Sequence, residues 1–189
     1  TLHELLGQGG FGTVYRATQE SPLRREVAVK LIRPGMGSAS VLARFDAERQ
    51  TLAMLNHPGI ASVLDAGETE QGIPYFAMEL VDGLPLDQFC DRHSLSIDTR
   101  IELIKQACQA VDHAHRRGIL HRDIKPSNVL AYFDDSGAAR IKVIDFGISK
   151  ALQPEHPSDV VSTDPSTVTQ QGQMLGTLEY MSPEQASMA

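Results

Sequence analysis

The residues best suited to chemistry lie in one short run, from His121 to Asn128. This run places an acid, Asp123, two residues before a cation, Lys125, and five residues before the amide of Asn128. A second acid, Asp145, follows seventeen residues after that amide. Such a set could accept a hydroxyl proton, neutralise a phosphate and provide two oxygen ligands for Mg²⁺, which together are the requirements of phosphoryl transfer.

A glycine pattern near the start of the chain, GQGGFGTV at residues 7–14, adds a possible phosphate-binding loop. Without Cβ atoms, the backbone can approach a phosphate and offer its N–H groups. A simple glycine-rich hairpin explains the pattern equally well when it is taken alone. Residues 13–17 resemble a strand, whereas a dinucleotide-binding fold requires a helix there, so the pattern argues against that fold.

Two charged residues stand where their neighbours predict a hydrophobic core. Lys30 lies inside the apolar strand predicted over residues 27–32, and Glu48 lies on the apolar stripe of a helix predicted over residues 38–55. Burying either charge is costly without a partner. Taken singly, each could be a surface residue that extends into solvent. Taken together, a Lys30–Glu48 ion pair explains both placements.

The elements that must position these residues form a strand-rich first half and a more helical second half. Further strands are predicted at residues 60–64, 75–80, 129–133 and 140–144, and Asp82-Gly83 marks a crossing between two units. Ser96 can cap a helix that ends near Gly118. The predicted buried stripe of this helix consists of Ile97, Ile101, Ile104, Cys108 and Val111. Residues 153–173 are rich in Ser, Thr, Pro and Gln and lack periodicity, which predicts a mobile polar loop.

Composition narrows the class of protein. The chain has 189 residues and a formal charge of −7, which disfavours a basic nucleic-acid-binding surface. Cys90 and Cys108 form no metal or redox motif, and they favour a reducing compartment. No apolar run reaches the ~18–20 residues of a membrane span. We therefore expect a cytoplasmic chain without its own membrane segment, although a full-length protein could be anchored by other segments.

Together, the run from His121 to Asn128, the glycine pattern and Asp145-Phe146-Gly147 resemble the eukaryotic-like (Hanks-type) Ser/Thr protein kinases, with residues 176–185 similar to bacterial members. The resemblance implies an α+β, bilobal protein-kinase-like fold. Residues 1–81 would form an N-lobe with an antiparallel β-sheet and one helix. Residues 82–189 would form a partial, mainly helical C-lobe that is truncated after residue 189. ATP and Mg²⁺ would be the cofactors.

The resemblance also implies a role for each catalytic position. Asp123 would accept the substrate proton, and Lys125 would neutralise the γ-phosphate. Asn128 and Asp145 would bind Mg²⁺. The residues that contact the phosphates would be Lys30, held by Glu48, and the loop glycines Gly7, Gly9 and Gly12.

The adenine site is implied in the same way. Val14, Ala28 and Leu130 would enclose the base, and Met78 would guard the back of the pocket. Backbone groups of Glu79 and Val81 would bind the adenine edge. An apolar stack that links the lobes would consist of Leu52, Val63, His121 and Phe146.

Protein substrates follow from the resemblance, and Lys125 together with Thr177 favours Ser/Thr over Tyr. A phosphate added within the segment from residue 145 to 184 could bind Arg122, with self-association allowing trans-autophosphorylation. A polar linker without a switch is the simpler alternative for this segment. Leu178 and Ser182 depart mildly from the family pattern, at positions that concern substrate docking.

Two other functions stay open at this point. One is a non-catalytic nucleotide-binding or interaction fragment, because the C-lobe is expected to be incomplete. The other is a small-molecule kinase, although such enzymes usually lack Arg122 and this glycine pattern. With part of its packing missing, we expect the chain alone to be poorly stable and inactive or weakly active.

Overall fold

A computed structural model describes residues 1–9, 12–32, 55–146 and 179–183 of the chain. In chain order the described elements are β1 (Leu2–Gly9), β2 (Gly12–Gln19), β3 (Arg25–Ile32), β4 (Val63–Glu68), β5 (Pro74–Glu79), β6 (Leu84–Pro85), helix α1 (Leu86–Arg92), helix α2 (Ile97–His115), a 3-10 turn (Pro126–Asn128), β7 (Val129–Phe133) and β8 (Ala139–Val143).

The first five strands form one antiparallel sheet in the order β1-β2-β3-β5-β4. The predicted apolar run 27–32 occupies its central strand, β3, where Val27 and Ile32 are almost fully buried. A central position explains why this strand is apolar on both faces. The predicted antiparallel sheet is confirmed.

One strand begins later than the sequence suggests. The strand predicted over residues 60–64 is instead β4, Val63–Glu68, and Ile60 forms an isolated parallel bridge with Val143. The backbone of residues 59–61 bonds to β8, so this apolar segment joins the two sheets and does not extend β4. The helix predicted over residues 38–55 lies outside the described residues except at its last position, Leu55, which is buried.

The second sheet, ordered β6-β7-β8, supports helix α2. The predicted cap is confirmed, because the Ser96 hydroxyl accepts a hydrogen bond from the Thr99 amide at 3.3 Å. Gly118 ends the helical region with φ +73°, a left-handed conformation that glycine adopts without strain. Helix α1, which has only two turns, was not predicted from the sequence.

The predicted buried stripe of α2 is wrong. Its buried residues are Leu103, Ala110 and Ala114, at spacings of seven and four, whereas Ile97 is 75% exposed. Ala110 lies close to the backbone at Gly59, so small residues allow the helix to approach the segment beside β8. The remaining positions of the predicted stripe divide between exposed Ile101, Ile104 and Cys108 and partly buried Val111.

A single hydrophobic cluster links the two sheets. Phe76 of the first sheet and Ile141 and Val143 of the second belong to it, as do Leu103 of α2 and Phe146. This shared core fixes β8, and therefore the residues that follow it, relative to β3 and β5. Among the described residues, no helix combines the length and apolar character needed to cross a bilayer.

Candidate active site

His121 anchors the loop that carries the predicted acid. Its ring is 1% exposed, its Nε2 lies 2.8 Å from the carbonyl oxygen of Ile144, and its Nδ1 accepts a hydrogen bond from the Asp123 amide at 3.2 Å. Burial lowers the pKa of His121, which favours the neutral ring that these two bonds require. Its edge also contacts the ring of Phe146, with centroids 4.7 Å apart. One buried histidine therefore joins the loop to the end of β8.

Asp123 is held by the two polar residues that the sequence analysis grouped with it. Its Oδ2 accepts from the Lys125 ammonium at 2.8 Å and from Nδ2 of Asn128 at 3.0 Å. The same Nδ2 donates to the Asp123 carbonyl at 2.8 Å. In the described part of the chain Oδ1 accepts no hydrogen bond, so it is the carboxylate oxygen left for a substrate hydroxyl. The structure thus brings Asp123, Lys125 and Asn128 into one cluster.

Lys30 reaches the second predicted acid directly. Its ammonium lies 2.8 Å from Oδ2 of Asp145, and the lysine is only 7% exposed. A nearly buried cation requires such a partner. Glu48, its predicted partner, lies outside the described residues, so the Lys30–Glu48 pair stays a prediction. Asp145 was predicted as a metal ligand, and its contact with Lys30 was not predicted.

Asp145 has an unusual backbone conformation, with φ +64°. Non-glycine residues adopt the left-handed region at some cost, and such residues concentrate at functional sites. Arg122, at φ +67°, is the second such residue beside the site. Asp145 lies between Ile144, which His121 contacts, and Phe146, which belongs to the shared core. Arg122 lies between His121 and Asp123, which are bonded to each other. These neighbours can hold both residues in the left-handed conformation.

The oxygen atoms near the loop fit a magnesium ion. Asn128 uses Nδ2 for Asp123, which leaves Oδ1, and Asp145 uses Oδ2 for Lys30, which leaves its other oxygen. An amide and a carboxylate oxygen are suitable Mg²⁺ ligands, with water and phosphates completing the shell. Within the described ranges no group of three or more His, Cys, Asp or Glu side chains gathers around a metal position. Mg²⁺ bound through phosphates needs no such group.

The residues predicted to contact adenine lie in both sheets, except Val81, which follows β5 in the segment between the sheets. Ala28 on β3 lies directly opposite Met78 on β5, and both are nearly buried. Val14 on β2 is the cross-strand neighbour of Lys30. Leu130 lies on β7 of the second sheet and is partly buried.

The three predicted phosphate-binding glycines have different surroundings. Among the described residues, a Cβ at Gly7 or Gly9 would have no atom within 4 Å, whereas a Cβ at Gly12 would lie 2.1 Å from the carbonyl oxygen of Leu31. Gly12 is therefore required for strand pairing, and the other two glycines border open space that could hold phosphates.

Other predicted residues are only partly described. Val63 and Phe146 of the predicted apolar stack line one narrow crevice together with Met78. His121 contacts the ring of Phe146, so three members of the stack are neighbours. The fourth member of the predicted stack, Leu52, lies outside the described residues, as do Thr177 and most of the segment from residue 145 to 184.

One ion pair beside the site was not found from the sequence. Lys142 on β8 contacts both carboxylate oxygens of Glu79, each at 2.7 Å. A weak sequence signal is the position of Lys142 between Ile141 and Val143, because its alternation with Arg140 is equally typical of a strand with one polar face.

Comparison with known proteins identifies the family to which this geometry belongs. Residues 1–188 match the protein kinase domain family. This chain belongs to that family. The kinase chain is 39% identical to the serine/threonine-protein kinase PknA of Mycobacterium tuberculosis, over 98% of the chain and 41% of that protein. It is 40% identical to PknB of the same organism, over 98% of the chain and 28% of that protein.

Solved structures agree with the family and with the bilobal kinase fold. The PknI kinase domain of Mycobacterium tuberculosis superposes with a TM-score of 0.62 at 35% identity, covering 78% of this kinase chain and 59% of that structure. A double mutant of the same domain gives a TM-score of 0.64 at 34% identity, with coverages of 83% and 63%. The chain spans well under half of the curated relatives it matches.

Proposed function

We propose that this kinase domain transfers the γ-phosphoryl group of ATP to Ser or Thr hydroxyls of protein substrates. The observation that carries this proposal is the Asp123 carboxylate, whose Oδ2 is held by Lys125 and Asn128 while Oδ1 stays available. The similarity to two serine/threonine-protein kinases supports Ser and Thr as acceptors.

In the proposed reaction the substrate hydroxyl oxygen attacks the γ-phosphorus. The bond between this phosphorus and the bridging oxygen breaks, ADP leaves, and the hydroxyl proton passes to Oδ1 of Asp123. The Lys125 ammonium lies 2.8 Å from the Asp123 carboxylate, beside the substrate hydroxyl that this carboxylate would bind. It would therefore balance the negative charge on the transferred phosphoryl group. Positioning and charge stabilisation therefore account for most of the expected catalysis.

Asn128 and Asp145 would hold Mg²⁺ through their remaining oxygens, and the ion would neutralise the phosphate oxygens when bound. Lys30, which lies against Asp145, would move between this carboxylate and the α- and β-phosphates, with Glu48 holding it in the second position. Gly7, Gly9 and Gly12 would form the backbone cover over the phosphates.

The adenine ring would lie between the two sheets. Val14, Ala28 and Leu130 would provide apolar contacts and Met78 would limit the depth of the pocket. The backbone of Glu79 and Val81 would bind the edge of the base. The proposed N-lobe consists of residues 1–81, and the proposed partial C-lobe consists of residues 82–189.

Regulation and location are further parts of the proposal. Phosphorylation of the segment from residue 145 to 184 would add about −1.5 to −2 charges, and the phosphate would bind the Arg122 guanidinium. A second copy of the chain would catalyse that transfer, with ATP as the phosphoryl donor and ADP as the leaving product. The substrates would be cytoplasmic proteins, and nucleic acid is not expected to bind because the chain carries a charge of −7.

An assay with radiolabelled ATP tests this function against its alternatives. The chain is incubated with Mg²⁺, a generic basic protein and, separately, an aminoglycoside, and the labelled protein is hydrolysed to identify the phosphorylated amino acid. Label on Ser or Thr supports the proposal. Label on the aminoglycoside alone would indicate a small-molecule kinase, and ATP binding without any transfer would indicate a non-catalytic module.

A further inference from the structure

The Lys142–Glu79 ion pair joins the two sheets at a point close to both halves of the proposed site. Lys142 belongs to β8, and Glu79 is the last residue of β5. The side chains are 14% and 33% exposed, and the ammonium lies 2.7 Å from each carboxylate oxygen. Both charges are shielded more than those of an ordinary surface pair, so loss of one partner would leave the other poorly solvated.

Glu79 is also bonded twice to Ser62. The Ser62 amide donates to Oε2 of Glu79 at 3.3 Å, and the Glu79 amide donates to the Ser62 carbonyl at 2.9 Å. The segment immediately before Ser62 then bonds to β8. The Ala61 amide donates to the Val143 carbonyl at 3.0 Å, and the Val143 amide donates to the Gly59 carbonyl at 2.8 Å.

These contacts close a ring that runs from Glu79 through residues 59–62 to β8 and back through Lys142. Glu79 begins the connecting segment, residues 79–83, whose backbone is the proposed partner of adenine. Lys142 precedes Asp145 by three residues on the strand that delivers this acid. A shift of one side of the ring therefore changes the distance between the adenine site and the metal and phosphate site.

We propose that Lys142 and the Glu79 side chain are positioning residues that fix the connecting segment relative to Asp145 for ATP binding. This inference rests on the proposed function. Neither side chain touches the reacting atoms, so the pair acts through backbone placement and not through chemistry at the phosphate. Its loss should weaken ATP binding more than it slows the transfer step.

The test compares Lys142→Met, Glu79→Gln and the double variant with the unchanged full chain. Glu79→Gln keeps an acceptor for the Ser62 amide while it removes the charge. We expect each single variant to raise KM for ATP roughly threefold to tenfold, with a smaller change in kcat. The double variant should be no worse than the single variants, because all three remove the same pair. Lys142→Arg should retain most of the affinity.

Two further measurements separate a positioning role from general damage. Hydrogen exchange should be faster at the Ser62 amide and in residues 79–83 of Lys142→Met, whereas α2 should be unaffected. Lys105→Met provides the matched control, because it removes an exposed ion pair within α2, Lys105–Glu102 at 2.9 Å.

The outcomes distinguish this inference from the proposed function. If the unchanged chain transfers no phosphate, the proposed function fails, and hydrogen exchange and ATP affinity still test the ring. The inference is overturned if the unchanged chain is active and Lys142→Met has the same KM for ATP and the same hydrogen exchange as the control Lys105→Met. Additive losses in the double variant would overturn it as well.

Discussion

At the site, Asp123 and Asn128 each use one side-chain atom for a neighbour and, among the described residues, leave an oxygen atom available. Asp123 uses one carboxylate oxygen for Lys125 and Asn128 and keeps the other. Asn128 uses its amide nitrogen and keeps its oxygen. Lys30 and Asp145 neutralise each other across the site at 2.8 Å. The cluster therefore pairs its charges among its own side chains and retains the acceptor atoms that phosphoryl transfer needs.

Replacing Lys30 with Met should lower both activity and stability. The methionine preserves most of the buried stem and removes the ammonium, so kcat/KM for ATP should fall by about 10²-fold or more. The midpoint of urea unfolding should also fall, because the change leaves the largely buried Asp145 carboxylate without its partner at 2.8 Å. Lys105→Met controls for loss of a lysine on the surface. Full activity in Lys30→Met would contradict the assigned role.

His57 predicts a dependence of stability on pH. Its Nδ1 accepts a hydrogen bond from the Gly59 amide at 3.0 Å. Burial, then the neighbouring charges of His113, Arg117 and Lys142, lower its pKa below the ordinary value of 6.5. As pH falls through that value the unfolded chain binds a proton that the folded chain resists. Stability should therefore decrease as pH falls from about 6.5 toward the lower folded pKa.

Urea unfolding at several pH values checks this expectation. His57→Asn retains an acceptor for the Gly59 amide but cannot titrate, so it should reduce the loss of stability at acidic pH. His115→Asn, at an exposed position, is the control. An identical pH dependence in His57→Asn and the unchanged chain would contradict the assignment.

Among the elements, the β2–β3 hairpin depends most on one backbone position. A Cβ at Gly12 would meet the Leu31 carbonyl oxygen at 2.1 Å, so Gly12→Ala must push the two strands apart. We expect a loss of about 1–3 kcal/mol in unfolding free energy and a higher KM for ATP. Gly7→Ala, where no atom lies within 4 Å, should leave stability nearly unchanged. Equal melting temperatures for the two variants would argue against this account.

Helix α2 shows which part of the fold the sequence could predict. Its extent and its Ser96 cap follow from local signals, and the structure confirms both. Its buried face does not, because the helix packs against the second sheet through Leu103, Ala110 and Ala114. Apolar periodicity cannot reveal that small alanines allow the closer approach. The strand pattern likewise predicted β3 well, but it could not show that residues 59–61 bond to β8.

The site itself divides in the same way. Asp123, Lys125 and Asn128 are near one another in sequence, so their grouping was predictable. The Lys30–Asp145 and Lys142–Glu79 pairs join residues 115 and 63 positions apart. Only the three-dimensional arrangement of the two sheets brings such residues together, although the charge of Lys30 inside an apolar run signalled that this lysine needs a partner.

At the scale of the whole molecule, α2 presents an exposed apolar stripe of Ile97, Ile101 and Ile104. Such patches promote association. Ile101→Gln with Ile104→Gln should therefore reduce self-association at high concentration without lowering the melting temperature. Leu103→Ala, on the buried side of the same helix, should instead cost about 2–5 kcal/mol. Sedimentation and thermal unfolding check both, and a large loss of stability in the isoleucine double variant would contradict the burial pattern.

The proposed function depends most on Asp123, which would accept the substrate proton in phosphoryl transfer. The most direct test measures the initial rate at which label passes from ATP to protein, for the unchanged chain and for Asp123→Asn. ATP binding is measured in parallel for both proteins. The asparagine keeps the shape of the side chain and can still bind ATP, but it cannot accept the proton. We predict a rate lower by roughly 10²–10⁴-fold with similar ATP affinity. Equal rates of Ser and Thr labelling by the two proteins would contradict the account.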